Sequence, residues 1–194
     1  MSRTSKIVYF IISIIFFTCF DLVLSDFVIK NIEKFPQNSV LDLISVQNTG
    51  AAFSILQDAR VFLICFSVAA ILWIVFYTIK SIEKSSTLTL FWVSMLISGI
   101  FCNLYERIAL GYVRDFFKLN FVNFPVFNIS DIFINVSVFA IVVIIIKHNF
   151  SKNNEADNWW TYNRYKDRRF FSRVYERLFA LENPDGNKKG RCNC

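Results

Sequence analysis

The sequence predicts an α-helical integral membrane protein: four transmembrane helices with a small extracytoplasmic β-containing loop domain. Three observations predict it. The 194 residues are 55% hydrophobic and include 23 Phe, and the mean hydropathy of +0.44 is far above that of a soluble domain. Four apolar runs, residues 7–24, 61–79, 88–105 and 126–146, each hold roughly 18 to 21 residues, about the length that crosses a hydrocarbon core of about 30 Å as a helix. Turn formers and clustered polar residues gather in two intervals between those runs, 25–60 and 106–125. Four such helices in so short a chain leave too little polar surface to cover them in water.

The first run follows the basic residues Arg3 and Lys6. A cleaved signal peptide would begin similarly, but this run exceeds a typical h-region and no small-x-small cleavage site follows. Asp21 lies within its far end, so it reads as a retained first helix. The interval 25–60 mixes Pro36, Asn38, Asn48 and Gly50 with a β-prone stretch at 40–46, predicting a few short strands on the membrane surface. The second and third runs are joined by a short loop holding Lys80 and Lys84, and the third run ends on Asn103, Glu106 and Arg107. Gly111 then breaks the chain before the alternating stretch 112–117. Asn128, Ser130 and Asp131 precede most of the last apolar run, as helix-capping residues do.

The net charge of +6 is concentrated in the tail: ten basic and nine acidic residues precede Lys147, whereas eleven basic and six acidic follow from it. Basic flanks accumulate on the cytoplasmic side, so both termini are expected there, with the loops at 25–60 and 106–125 outward. Residues 1–147 read as one four-span domain and 148–194 as a basic cytoplasmic tail. Within that tail, residues 164–181 place Phe170, Val174, Leu178 and Leu181 at helical spacing among arginines. This predicts an amphipathic helix on an anionic leaflet, with membrane lipid rather than nucleic acid as its partner and a disordered end. His148 is the only histidine, which argues against Ser-His-Asp, Cys-His and multi-His metal units. Cys19, Cys65 and Cys102 lie on separate spans, where they are expected to be small buried apolar residues, and Cys192 with Cys194 is too sparse for a metal site. No cofactor and no metal are expected.

Two acids carry the chemical interest. Asp115 lies in Gly-Tyr-Val-Arg-Asp-Phe and Asp131 in Phe-Asn-Ile-Ser-Asp-Ile. Alone, Asp131 reads as a helix cap and Asp115 as a surface residue paired with Arg114 or Lys118. The wider pattern outweighs those readings. Asp21, Asn103, Glu106, Arg107 and Asp131 all fall at span ends on one predicted side, and polar groups at one depth on several spans form a site. Asn48 and Gly50 lie in the outward loop above them, where small residues permit close approach of an extended peptide. Two carboxylates sharing one proton is aspartic-protease chemistry.

Four phrases now stand in order: Asn48-Thr49-Gly50-Ala51-Ala52-Phe53-Ser54, Asn103-Leu104-Tyr105-Glu106-Arg107, Gly111-Tyr112-Val113-Arg114-Asp115-Phe116 and Phe127-Asn128-Ile129-Ser130-Asp131. In these the chain resembles bacterial lipoprotein signal peptidases, the signal peptidase II family of aspartic membrane proteases. The resemblance covers about residues 7 to 147. It implies that Asp115 and Asp131 are the catalytic pair, and that Asp21, Asn48, Gly50, Asn103, Glu106, Arg107 and Asn128 bind substrate or support the site. It further implies diacylglyceryl-modified prolipoproteins as substrates, cut just before the lipidated Cys, and a bacterial inner-membrane location with the site near the outer face; a monomer is assumed.

The chain departs from the family pattern at four positions. Ser25 stands where a Lys is usual, four residues after Asp21. Glu106 replaces an Asp before Arg107, Cys102 a Gly before Asn103, and Ser130 an Ala before Asp131. Glu106 is expected to pair with Arg107, and Asp21 to lack its usual partner. Two rival readings stand beside the peptidase: a catalytically impaired relative acting as an assembly factor, and a small proton-coupled transport protein. A transporter needs acids spread through the membrane's depth; here they gather at one face.

Overall fold

The computed structural model describes residues 1–36, 38, 40–50, 59–147 and 150. The compact unit Met1–Ile144 contains, in chain order, α1 (Arg3–Asn31) with a 3-10 turn at Ile32–Lys34, β1 (Leu41–Asn48), α2 (Arg60–Ser81), α3 (Thr87–Ala109) and β2 (Val113–Leu119), then most of α4 (Ile129–Lys147). Four helices are thus long and apolar enough to cross a membrane. The tail helix proposed at 164–181, His148 and the two terminal cysteines lie outside the described residues.

Local sequence sets the helix starts. Ser2 and Ser86, each in extended backbone, accept hydrogen bonds from the amides of Ser5 (3.1 Å) and Thr89 (3.0 Å) to cap α1 and α3. α4 begins with a reciprocal capping box. The Asp131 amide donates to Asn128 Oδ1 (2.9 Å) and the Asn128 amide donates to Asp131 Oδ2 (3.2 Å). α3 runs further than the apolar run 88–105, through Ala109, so Glu106 and Arg107 belong to its last turn rather than to a loop.

α3 is the central helix, and its small residues decide its neighbours. Ser94 and Ser98 donate to the carbonyls of Phe10 (3.3 Å) and Ile14 (3.0 Å) on α1, while the Cys102 thiol lies 4.0 Å from the Thr18 carbonyl. Both helices advance by four residues per rung, so they are parallel. The hydroxyls also donate to carbonyls of their own helix, Leu90 (2.8 Å) and Ser94 (2.9 Å). Such shared bonds cost the helix little and let the backbones approach. On another side of α3, a Cβ at Gly99 would sit 2.7 Å from the Ser130 carbonyl oxygen and 2.9 Å from Ile134 Cγ1, so only glycine allows α4 this close. Cys102 is buried, but Cys19 and Cys65 face the outside of the bundle, where small apolar groups suit lipid as well as a core.

β1 and β2 form an antiparallel pair with one extra residue on β1 between Leu43 and Val46, a bulge that increases the local twist. Phe127 extends this pairing: its carbonyl accepts from the amides of Phe116 (3.1 Å) and Phe117 (2.8 Å), and its amide donates to the Phe117 carbonyl (3.1 Å). The strand pair rests on a core of Phe17, Val28, Met95, Phe116, Ile129 and Phe133, drawn from α1, α3, α4 and β2. The Phe17 ring meets Phe91 and Phe133 edge to face, at 5.2 and 5.4 Å between centroids.

Candidate functional site

The polar residues of the strand pair and of the adjacent helix ends are joined around Asn128. Asn128 Nδ2 donates to Asp115 Oδ1 (2.9 Å) and to Asn103 Oδ1 (3.1 Å), while its Oδ1 accepts from the Asp131 amide (2.9 Å). Asn103 Nδ2 donates in turn to Asp131 Oδ1 (3.0 Å), and Asn48 Nδ2 donates to Asp115 Oδ2 (2.8 Å). Asp115 comes from β2 and Asp131 from the first turn of α4. The Phe127 pairing next to Asn128 brings those two elements together.

The positions follow from the strand geometry. Asn48 is opposite Val113 in the register and Val46 opposite Asp115, so Asn48 reaches the Asp115 carboxylate diagonally on one face of the two-stranded sheet. Asp115 is 2% exposed, which rules out the surface ion pair with Arg114 or Lys118. Burial is the largest cause pushing its carboxyl up to about 7. The hydrogen bond from Asn48 opposes this, the charge of Asp131 adds to it, and the Asn128 bond and the Arg107 charge oppose it.

Gly50 and Arg107 complete the group. Gly50 is held twice: its amide donates to Asn48 Oδ1 (2.9 Å) and its carbonyl accepts from Arg107 Nη2 (2.8 Å). Arg107 also donates through Nη1 to the Asn103 carbonyl (3.2 Å), and its charge acts on Asp131, Asp115 and Glu106. Asp115, Asp131, Asn48, Gly50, Asn103, Arg107 and Asn128 therefore stand together as the sequence predicted.

The other two residues are placed differently from expectation. Glu106 takes Arg114 rather than Arg107: its carboxylate accepts from Arg114 Nη2 (2.6 Å), Nε (2.9 Å) and the Arg114 amide (2.7 Å). Arg114 sits on the strand face opposite Asp115, so this bidentate clamp fixes the start of β2 without entering the carboxylate group. Asp21 is 2% exposed and is not bare. Ser25 Oγ donates to its Oδ1 (2.9 Å) and Ser130 Oγ donates to its Oδ2. The i,i+4 spacing of Asp21 and Ser25 on one helix was a readable signal for the first bond.

Arg60 is a residue the sequence reading missed. From the start of α2 it donates to the carbonyls of Arg107 (2.9 Å) and Ile108 (3.2 Å), satisfying the end of α3. The turn that follows has Gly111 at φ 92°, and a Cβ there would lie 3.3 Å from Arg60 Nη1. No short-range pattern links Arg60 to residues almost fifty positions away.

A family model described as signal peptidase (SPase) II matches residues 12–147. A lipoprotein signal peptidase of Streptococcus thermophilus is 39% identical over 108 residues, 56% of this chain and 70% of that protein. One from Caldicellulosiruptor bescii is 37% identical over 138 residues, 65% of this chain and 89% of that protein. A solved bacterial membrane enzyme structure superposes with a TM-score of 0.64 at 25% identity, covering 72% of this chain and 88% of its own. A second does so with a TM-score of 0.61 at 25% identity, covering 71% and 92%. The matched stretch runs from within α1 to the end of α4 and takes in every carboxylate and amide of the buried group, and the chain accordingly belongs to the signal peptidase II family of bacterial membrane proteases.

Proposed function

We propose that this chain removes the signal peptide from diacylglyceryl-modified prolipoproteins, cutting just before the lipidated cysteine, with Asp115 and Asp131 as its catalytic acids. The observation that carries this reading is the convergence of the two carboxylates, from β2 and α4, on one buried residue: the side-chain amide of Asn128 donates to Asp115 and its backbone amide to Asp131. Two acids so placed share a proton, because a second negative charge in the same dry site is costly. The raised carboxyl of Asp115, about 7, keeps that proton available near neutrality.

The steps follow from the pair. The ionised carboxylate takes a proton from water as its oxygen bonds to the scissile carbonyl carbon. The protonated carboxyl gives its proton to the carbonyl oxygen, leaving a neutral gem-diol. One diol hydroxyl then returns a proton to a carboxylate as the carbon–nitrogen bond breaks, and the amide nitrogen receives the other carboxyl's proton and leaves as the amine. Asn48 holds one oxygen of Asp115 and Asn103 one oxygen of Asp131, so each carboxylate keeps a fixed orientation through the cycle. Gly50, pinned by Arg107, offers an edge along which the substrate backbone lies.

The remaining parts of the proposal concern placement. Both termini face the cytoplasm, the site is near the outer face of the inner membrane, and the peptide descends to it while the substrate's acyl chains stay in lipid between the helices. Residues 1–147 form the peptidase domain and 148–194 a basic cytoplasmic tail. The test is processing of a diacylglyceryl-modified prolipoprotein by purified protein, read as the mass of the released signal peptide. Asp115→Asn and Asp131→Asn should each abolish it while remaining folded. Near-normal turnover by either variant removes the assignment of the pair.

A further inference from the structure

We propose that Ser130 is a positioning residue for Asp131: its hydroxyl, tethered to Asp21, sets the orientation of the first turn of α4. The inference rests on the catalytic reading of Asp131. Ser130 is 4% exposed and is held from two helices. Its carbonyl oxygen sits where a Cβ on Gly99 of α3 would lie at 2.7 Å, and its hydroxyl donates to Asp21 Oδ2 on α1. The next residue is Asp131, whose amide and carboxylate are engaged by Asn128 and Asn103.

The chemistry of the contact is specific. Asp21 is buried, and among the described residues no Lys or Arg forms an ion pair with it. Its oxygens are served by hydroxyls: Ser25 Oγ on Oδ1 (2.9 Å) and Ser130 Oγ on Oδ2. The Cys102 thiol lies beside the same carboxylate. Ser25, Cys102 and Ser130 are three of the four positions at which this chain departs from the pattern of the family it resembles, and all three meet at Asp21. Among the described residues, only Ser130 is hydrogen-bonded from the helix of Asp131 to Asp21. Ser25 is on the same helix as Asp21 and orders the carboxylate without reaching α4. A buried acceptor deprived of its donor is costly, and a displacement of under an ångström at a reacting group is felt in the rate.

A four-protein comparison separates positioning from stability. Wild type, Ser130→Ala, Asp21→Leu and the double variant are assayed for kcat, KM and melting temperature on one diacylglyceryl lipopeptide. Ser130→Ala and Asp21→Leu should each lower kcat by about tenfold, with KM within about twofold, and lower the melting temperature. In the double variant Ser130 and Asp21 no longer leave each other unpaired and only Ser25 Oγ loses its acceptor, so the melting temperature should rise above that of Asp21→Leu. Its kcat should stay as low as in the single variants, because the tether is still missing. Recovery of kcat together with the melting temperature, multiplied losses in kcat, or a double variant that melts no higher than Asp21→Leu each overturns the inference. Wild type that cleaves beside a Ser130→Ala protein of unchanged kcat overturns the positioning role alone. Wild type that fails to cleave removes the catalytic assignment, and this inference with it.

Discussion

At Asp115 the environment sets the direction of two pH effects. Its folded-state carboxyl stands at about 7 against an ordinary 3.8. Between those values the unfolded chain has released a proton that the folded chain keeps, so stability should fall as pH rises from about 4 to 7. Asp115→Asn has no such group, and its melting temperature should vary less over that window than that of the wild type. On the proposed mechanism turnover requires the retained proton, so it should decline as pH rises beyond about 7, when both acids ionise. The Asn48 bond favours the charged carboxylate. Asn48→Ala should therefore move the alkaline limb of the pH–rate profile to higher pH, and a limb that moves to lower pH contradicts the role given to Asn48. Asp115, Asp131 and their asparagines were legible because their phrases are local and distinctive. Glu106 was read onto its neighbour Arg107, whereas strand alternation sends Arg114 to it. Adjacency in sequence is a poor guide at the joint between a helix and a strand, where the side-chain period changes from 3.6 to 2.

Among the elements, α3 is the one the others are fitted to. Gly99 admits α4, so Gly99→Ala should push the Ser130 carbonyl away, destabilise the fold by about 1–3 kcal/mol and lower kcat together. A thermal melt and one turnover measurement check this, and an unchanged melting temperature contradicts the close seam. The four helices could be read from length and hydropathy alone, and β1 and β2 from the alternation at 40–46 and 112–117. The extension of α3 past residue 105 was hidden by its charged final turn, because hydropathy reports the lipid-facing length of a helix and not its hydrogen-bonded length. The bulge in β1 was hidden as well, since register depends on the partner strand.

For the molecule as a whole, the proposed placement of residues 148–194 on the cytoplasmic side gives a direct expectation. Removing residues 164–194 should leave kcat within about twofold when insertion is intact, because the described residues of the carboxylate group lie within 21–131. A complete loss of cleavage in a correctly inserted truncation contradicts that assignment. The serine rungs between α1 and α3 have a consequence at this scale too. Ser94, Ser98 and Cys102 touch backbone carbonyls four residues apart on α1, and carbonyls at that spacing are chemically alike. Like a ruler with evenly spaced marks and no figures, the rungs accept a slide of four residues, about 6 Å, as readily as the native alignment. Asp21 has no equivalent one turn away, so its contact with α4 supplies the figure that makes a single alignment readable.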